Sequence, residues 1–281
     1  MRRSRTPSLV AAATAIVSCG LLAVAIWQGW LGPDAGRGAG FCEAARQGLI
    51  KQPANTFSNT GFVAAGLLAA WHAGRPGNVG PILSSRRALP TVMACVIVLL
   101  GPASAAMHAT QSSLGGHLDM LSMYLIAALA VAYAIMRFLR AGTATFAVVF
   151  VVAVGACELV EAGGGHLPVV MTAANAAFGA LLLVAMVLEL LIMRRGQTRS
   201  RRVFGFASVG TLLVAFGIWN ATNHGMCQPY SPVQGHAAWH LLDAVAAYLL
   251  YRYYASEAPI LAAGEQASAD VVEVGGSTRL D

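Results

Sequence analysis

The chain has 281 residues, of which 57% are hydrophobic and 11% are charged, and its formal net charge at pH 7 is +6. A soluble domain has about 25% charged residues because its surface must be covered with them, so this composition excludes an ordinary soluble protein. The basic residues form short clusters between apolar runs rather than a stripe with interleaved aromatic residues, which argues against nucleic-acid binding. We therefore expect a membrane protein.

The first apolar run extends from about Leu9 to Trp30 and follows three arginines near the N-terminus. It has the features of either a secretory signal or an uncleaved anchor helix. Its apolar part exceeds the roughly 7–15 residues of a usual signal peptide, and no clean A-x-A cleavage motif follows. The pattern favours an anchor helix, so residues 1–35 are interpreted as a cytoplasmic stub followed by that helix.

Seven further apolar runs follow, most of them near the ~20 residues that cross a bilayer. They cover residues 56–73, 89–109, 118–138, 143–162, 167–192, 203–222 and 236–255. Small residues are frequent within them, which suits close helix packing in lipid. The predicted fold is all-α, a polytopic membrane helix bundle with a seven-helix core over residues 36–255 and one extra N-terminal transmembrane helix.

The basic residues alternate from one connection to the next. Lys and Arg cluster at the N-terminus and at the ends of the second, fourth, sixth and eighth runs, whereas residues 109–117, 158–166 and 223–235 contain none. Only the 31–55 segment breaks this alternation. The positive-inside rule then predicts that both termini are cytoplasmic, in a protein of the bacterial inner membrane. The polar, acidic residues 256–281 are interpreted as a disordered cytoplasmic tail.

Three of the seven histidines, at the ends of predicted helices on the outer side, form a candidate site, since ionisable residues at membrane depth mark functional sites because burying them in lipid is costly. His236 and His240 are four residues apart at the start of the last run, so their imidazoles share one helix face. His108 ends the third run and would add a third nitrogen ligand. Three histidines with an open fourth position are typical of catalytic zinc, which accepts imidazole more readily than calcium or magnesium does.

Other polar residues fall at the same membrane depth. Ser104 lies one turn before His108 on the same helix face, and Asp119 lies near the start of the next run. Asp119 is a candidate acid or base acting on water at the metal. Asp243 is three residues after His240, so it is a candidate hydrogen-bond partner of a ligand imidazole. An isolated pair of histidines at this spacing is a weak signal; the convergence of these residues is what favours a metal site.

Considered together, these residues resemble the pattern of the alkaline ceramidase family of integral-membrane hydrolases. The resemblance covers about residues 40–255 and involves several motifs together. They are Ser104-x-x-x-His108, Asp119 eleven residues later, His236-x-x-x-His240, Phe41-Cys42-Glu43, Asn55-Thr56-Phe57-Ser58-Asn59, Trp219-Asn220 and Cys227.

The resemblance implies a zinc ion held by His108, His236 and His240, with Ser104 and Asp119 as catalytic partners. The implied reaction is hydrolysis of the amide bond of ceramide or a related N-acyl membrane lipid, which gives a fatty acid and a free amine such as a sphingoid base. Two alternatives stay open: a lipid esterase that uses the same site, and a non-enzymatic, zinc-containing seven-helix receptor-like protein.

The resemblance also implies a calcium site before the second run, and here the sequence departs from the family. The corresponding positions are Gly40, Phe41, Glu43, Ala45 and Gln52. Only Glu43 keeps a carboxylate, whereas calcium takes about six to eight oxygen ligands, several of them charged. We therefore expect calcium binding to be weak or absent.

Cys42 and Cys227 both lie on the predicted outer side, where an oxidising compartment permits a disulfide. The family has a similar pair, which favours a bond between them, and two free thiols are the alternative.

Overall fold

The computed structural model describes residues 4–86, 88–167, 171–196 and 198–259. It confirms the predicted all-α helical bundle. The helices are α1 (Thr6–Trp27), α2 (Pro53–Ser58), α3 (Thr60–Ala73), α4 (Pro81–Ser84), α5 (Leu89–Thr110), α6 (Ser113–Phe138), α7 (Thr143–Gly163), α8 (Ala173–Arg195), α9 (Arg202–Asn223) and α10 (Gly235–Ala255). Short antiparallel pairs join β1 (His166–Leu167) to β2 (Met171–Thr172) and β3 (Thr198–Arg199) to β4 (Ala258–Pro259).

Within these residues, six helices are long and apolar enough to cross a membrane, namely α1, α5, α6, α7, α8 and α9. The second predicted run is divided at Asn59 into α2 and the 14-residue α3. The last run forms the 21-residue α10, which is less apolar because it contains two histidines, an aspartate and an arginine. The chain is a multi-pass membrane protein.

Helix α5 lies at the centre of the bundle, in contact with α1, α3 and α6, while α10 packs against α9 and α3. The additional N-terminal helix α1 packs against α5 and α3, and buries Ala11 and Ala15 there. Small side chains let these helices approach closely, which is how transmembrane helices gain packing energy without a hydrophobic driving force between them.

Helices α3 and α5 approach each other closely at Gly66. A Cβ atom added there would lie 2.5 Å from Val98 Cγ2 and 2.7 Å from the Ala94 carbonyl oxygen. We expect Gly66→Ala to lower the unfolding temperature of the detergent-solubilised protein, since overpacking typically costs ~1–3 kcal/mol. Gly210→Ala is the matched control, because a Cβ on this α9 residue meets no atom within 4 Å. Equal unfolding temperatures for the two variants would contradict the close approach.

The connections fall at two opposite ends of the bundle. At one end, called the basic end, the Gly80 N–H donates a hydrogen bond of 2.7 Å to the Ala255 carbonyl oxygen. The Arg86 side chain donates to the Ala141 carbonyl oxygen at the same end. At the other end, called the site end, the Lys51 N–H donates a hydrogen bond of 2.9 Å to the Ala109 carbonyl oxygen. This division matches the alternation of basic and uncharged connections in the sequence.

The structure corrects the start of the sixth predicted run. Leu167, Met171 and Thr172, predicted as helix, do not belong to α8, because His166–Leu167 and Met171–Thr172 form the β1–β2 pair; residues 168–170 lie outside the described residues. Helix α8 begins only at Ala173, where the Thr172 hydroxyl accepts a hydrogen bond from the main-chain N–H of Asn175. Thr172 is therefore a helix cap, whose side chain satisfies a main-chain donor that has no partner within the helix.

The start of the predicted tail is bound to the bundle. Glu257 is 1% exposed and forms a salt bridge of 2.7 Å with Arg137 of α6, and it accepts a hydrogen bond from the Tyr133 hydroxyl. Arg137 also pairs with Glu189 of α8. Residues 256–259 therefore belong to the folded basic end, because a buried partner across the bundle compensates the charge of Glu257. The rest of the tail, 260–281, and the arginines at positions 2, 3 and 87 lie outside the described residues.

Candidate metal centre and substrate cavity

The structure brings the three predicted histidine ligands together at the site end. His108 ends α5, and His236 and His240 lie one turn apart at the start of α10. Each has at most 4% of its surface exposed, and one nitrogen from each ring lies within 4.8 Å of the other two. The ring centroids are 4.9 Å apart for His108 and His236, and 4.5 Å apart for His236 and His240. Three imidazoles therefore converge on one buried point.

A hydrogen bond behind His108 fixes which nitrogen faces the cluster. His108 Nδ1 lies 2.8 Å from Gln52 Oε1, an amide oxygen that can only accept, so Nδ1 carries the proton and donates. The proton is thereby excluded from Nε2, which keeps its lone pair. Nε2 is buried and has no hydrogen-bond partner in the protein. A buried nitrogen with a free lone pair is a suitable metal ligand.

His240 is oriented in the same manner by α2. Its Nδ1 lies 2.8 Å from Ser58 Oγ, and that hydroxyl donates its own proton to the Asn55 carbonyl oxygen at 2.9 Å. The Ser58 oxygen is a nearer partner of His240 Nδ1 than the Asn59 amide nitrogen, which lies at 3.3 Å, and it accepts the proton of Nδ1, which leaves Nε2 as the unprotonated nitrogen. The Asn55–Asn59 motif thus supports a ligand from behind.

His236 is held by stacking rather than by a hydrogen bond to its buried Nδ1, which has no protein partner. Its ring lies parallel to that of Phe41, with centroids 4.1 Å apart and planes 5° apart. The three rings together fit zinc: they supply three neutral nitrogen donors, and two of them donate their other N–H to an oxygen behind, as metal-bound histidines usually do.

Ser104 and Asp119 lie beside this cluster. Ser104 is 2% exposed, and its Oγ has no hydrogen-bond partner. The Asp119 carboxylate, on α6, interacts electrostatically with the Ser104 hydroxyl and with the positive charge of Arg37. Ser104, Asp119, His236 and His240 all line one cavity. A hydroxyl and a carboxylate are thus available next to the three imidazoles.

Arg37 was not predicted as part of the site. Its side chain lines the cavity and passes over Gly116 of α6, where a Cβ would lie 2.5 Å from Arg37 Nε. The sequence contained a signal, since Arg37 belongs to the one segment that breaks the alternation of basic connections. A basic residue retained on the uncharged side is a candidate for a role other than setting topology.

The cavity has a volume of about 1170 Å³ and is lined mainly by apolar side chains of α6, α8, α9 and α10. Its lining includes Ala173 and Met193 at opposite ends of α8, which a rise of about 1.5 Å per residue separates by about 30 Å. The metal cluster lies at one end, whereas Glu189 and Tyr253 line the other. A long apolar cavity with a few polar groups at one end suits a lipid.

Asp243 lines the same cavity, and its Oδ1 is buried without a hydrogen-bond partner. The sequence predicted a hydrogen bond from Asp243 to a ligand imidazole. In the described part of the chain, Gln52 and Ser58 instead hold the Nδ1 atoms of His108 and His240. The spacing along α10 correctly placed Asp243 on the helix of the histidine pair, but it did not identify the groups that hold the ligand rings.

The positions that the resemblance associates with calcium do not fit that ion. Both oxygens of Glu43 accept main-chain N–H groups at the start of α2, from Ala54 at 2.9 Å and Asn55 at 2.8 Å. Gly40 and Ala45 have no side-chain oxygen, and the carbonyl oxygen of Phe41 accepts a hydrogen bond from the Glu43 N–H. Calcium would lack the charged oxygens it needs.

Cys42 and Cys227 form a disulfide with a Cα–Cα distance of 5.5 Å. The bond joins the segment before α2, which contains Phe41, to the loop before α10, which contains the histidine pair. It thus links the two segments that approach the metal cluster from the site end.

A second polar cluster lies at the site end, between α6 and α7. His117 lies 3.6 Å from a carboxylate oxygen of Glu158 and 3.5 Å from one of Glu161, and the Tyr124 hydroxyl donates to Glu161. Each nitrogen of His117 faces a carboxylate oxygen of α7. Glu161 also lines the cavity.

A comparison with sequence profiles of protein families finds one match, described as Ceramidase, over residues 40–268. The chain belongs to the ceramidase family. A comparison with individually curated proteins finds no match. The family match begins after α1. Membership makes the chain a membrane hydrolase of a family that acts on amide bonds.

Proposed function

We propose that this chain is a zinc-dependent membrane hydrolase that cleaves the amide bond of ceramide or a related N-acyl lipid into a fatty acid and a free amine. One observation carries the proposal: three buried imidazoles converge beside Ser104 and Asp119 at the end of a long apolar cavity. Membership of the ceramidase family supports the same reaction.

In this proposal His108, His236 and His240 hold the zinc ion. When bound, zinc acts as a Lewis acid toward the substrate carbonyl and lowers the pKa of water, which makes a nucleophile available near neutral pH. The Nδ1–H groups of His108 and His240 stay hydrogen-bonded to Gln52 and Ser58, which keeps both rings in the tautomer that offers Nε2 to the metal.

The carboxylate of Asp119 accepts a proton from the attacking water and delivers it to the nitrogen of the leaving amine. The Ser104 hydroxyl donates a hydrogen bond to the carbonyl oxygen as negative charge develops on it, an interaction worth about 3 kcal/mol at comparable sites. Ser104 is suited to this role because its buried hydroxyl lines the cavity beside Asp119. Arg37 adds positive charge beside Asp119.

The apolar part of the cavity takes the hydrocarbon chains, with the amide at the metal end. We further propose that the site end faces the outer side of the membrane and that both termini are cytoplasmic, because the arginine-rich connections lie at the opposite end. An N-acyl lipid of the outer leaflet would then reach the site with its polar group near the membrane surface.

The test combines metal analysis with a substrate panel on the purified full chain in detergent. We expect one zinc per chain, and fatty-acid release from N-acyl sphingosine at least ~10-fold faster than from an ester with the same acyl group, because Asp119 can protonate a poor amine leaving group. Faster release from the ester would support the esterase. A zinc-loaded protein that releases fatty acid from neither lipid would contradict the proposal and favour a receptor.

A further inference from the structure

Gln52 connects the segment before α2 to the metal cluster. Its side chain is fully buried, and its amide nitrogen donates one hydrogen bond to the Gly38 carbonyl oxygen at 3.0 Å and another to the Glu43 carbonyl oxygen at 2.8 Å. Its amide oxygen accepts the proton of His108 Nδ1 at 2.8 Å. A single neutral side chain thus satisfies two main-chain oxygens and one metal ligand.

Carbonyl oxygens that converge on one point are an arrangement that often surrounds a cation. Here the donors of Gln52 occupy that place, because each hydrogen of the amide group points to one carbonyl oxygen. The main-chain N–H groups of Ala54 and Asn55 bind the Glu43 carboxylate in the same way. The N–H groups of the protein therefore supply the positive charge density that a bound ion would otherwise provide to these oxygens.

We propose that the side-chain amide of Gln52 replaces a cation in this segment, so that it positions His108 for zinc without calcium. The structural part of the proposal rests on the hydrogen bonds of the Gln52 side chain to Gly38, Glu43 and His108. Its consequence for zinc rests on the proposed function. Gln52 is a positioning residue, since it acts on the metal only through His108.

In this proposal, the side chain at position 52 decides whether a bound cation is needed to hold His108: an amide needs none, whereas a carboxylate does. A glutamate there would direct a carboxylate oxygen, instead of an N–H donor, at the carbonyl oxygens of Gly38 and Glu43. Oxygen atoms of like partial charge repel each other, and burying a carboxylate whose second oxygen faces only carbonyl oxygens is costly. A divalent cation between these oxygens would relieve both effects, so Gln52→Glu is expected to create a requirement for calcium.

The experiment measures zinc affinity by competition with a chromophoric chelator, together with the unfolding temperature. Both are measured for the full chain in resin-treated buffer, with and without millimolar CaCl₂. We expect calcium to change neither value for the wild-type chain. Gln52→Glu should lose zinc affinity about 10- to 100-fold without calcium, the usual effect of removing a group that orients a ligand, and should recover with calcium. Gln52→Ala should lose affinity in both buffers.

Gln234→Glu is the matched control for burying a carboxylate. The Gln234 side chain is 3% exposed and also donates to two carbonyl oxygens, those of Gln228 at 3.0 Å and Ser231 at 2.7 Å, but it makes no hydrogen bond to a histidine ligand. This variant should have a lower unfolding temperature and retain its zinc affinity. An equal calcium effect in both glutamate variants would mean that calcium acts nonspecifically, and would overturn the proposal.

Two further outcomes would overturn it: a wild-type chain whose zinc affinity or unfolding temperature rises with calcium, and a Gln52→Glu variant that equals wild type in calcium-free buffer. Failure of the proposed function has a different signature, namely a wild-type chain that binds no zinc in either buffer. The unfolding temperatures with and without calcium would then still test the role of Gln52.

Discussion

Replacing His236 with alanine is expected to abolish zinc binding and hydrolysis together. His236 supplies one of three converging nitrogens, and its removal leaves two ligands where catalytic zinc requires at least three from the protein. The loss of zinc affinity should exceed the roughly 10- to 100-fold that follows from changing a residue behind a ligand. Zinc per chain is measured after gel filtration, and fatty-acid release from N-acyl sphingosine is measured on the same sample.

His224→Ala is the control for this variant. His224 follows the end of α9, is exposed, and its Nδ1 lies 2.9 Å from the Asn220 carbonyl oxygen, so its loss removes an imidazole outside the cluster. It should retain zinc and activity. Full zinc occupancy in His236→Ala would show that the three-histidine assignment is wrong, whatever happens to the activity.

Replacing Asp119 with asparagine is expected to separate chemistry from metal binding. Asparagine has nearly the same shape but cannot take the proton of the attacking water, and general acid–base catalysis of this kind contributes about 10²–10⁴-fold to the rate. Asp119 is not one of the three converging ligands, so zinc content should stay at the wild-type value. The measurements are kcat for N-acyl sphingosine and zinc per chain.

Asp34→Asn is the matched control, because this carboxylate is 40% exposed and pairs with Lys51. It should leave kcat within about twofold of wild type, as a surface ion pair contributes little. Unchanged turnover in Asp119→Asn would remove Asp119 from the mechanism. A wild-type chain that binds a lipid amide without turnover, with the same affinity in Asp119→Asn, would instead indicate a receptor.

The helices and their alternation followed from the sequence because each depends on local properties. An apolar run of sufficient length must form a helix in lipid, since main-chain groups have no other partners there. The start of α8 differs from the prediction, because the residues before it are apolar enough to extend the run, yet His166–Leu167 pairs with Met171–Thr172 before the Thr172 cap. Apolarity reports the environment of a segment and not its main-chain conformation.

The candidate site was predictable where its residues share a helix. His236 and His240 lie on one face of α10, and Ser104 and His108 on one face of α5, because a helix repeats every 3.6 residues. The family motifs then related the two helices to each other. Arg37 was missed because it lies in an irregular segment, where no period indicates which way a side chain points.

The hydrogen bonds that orient the ligands depended on tertiary structure alone. Asp243 was predicted to hold an imidazole because it is near His240 along the helix, yet Gln52 and Ser58 hold the rings of His108 and His240. Glu257 gives a second example, since its polar neighbourhood in sequence indicated a free tail, whereas Arg137 binds it inside the basic end.

The sequence by itself therefore determined that this protein is a bundle of membrane helices and which helices carry the three clustered histidines, because hydrophobic length and helical period act along the chain. Only the tertiary structure decided which nitrogen of His108 and of His240 is free, that the Gln52 amide connects the segment before α2 to His108, and that the cavity extends from the metal cluster toward the basic end. Each of these depends on groups far apart in sequence, and hydrogen bonds and cavities are set by distances in space.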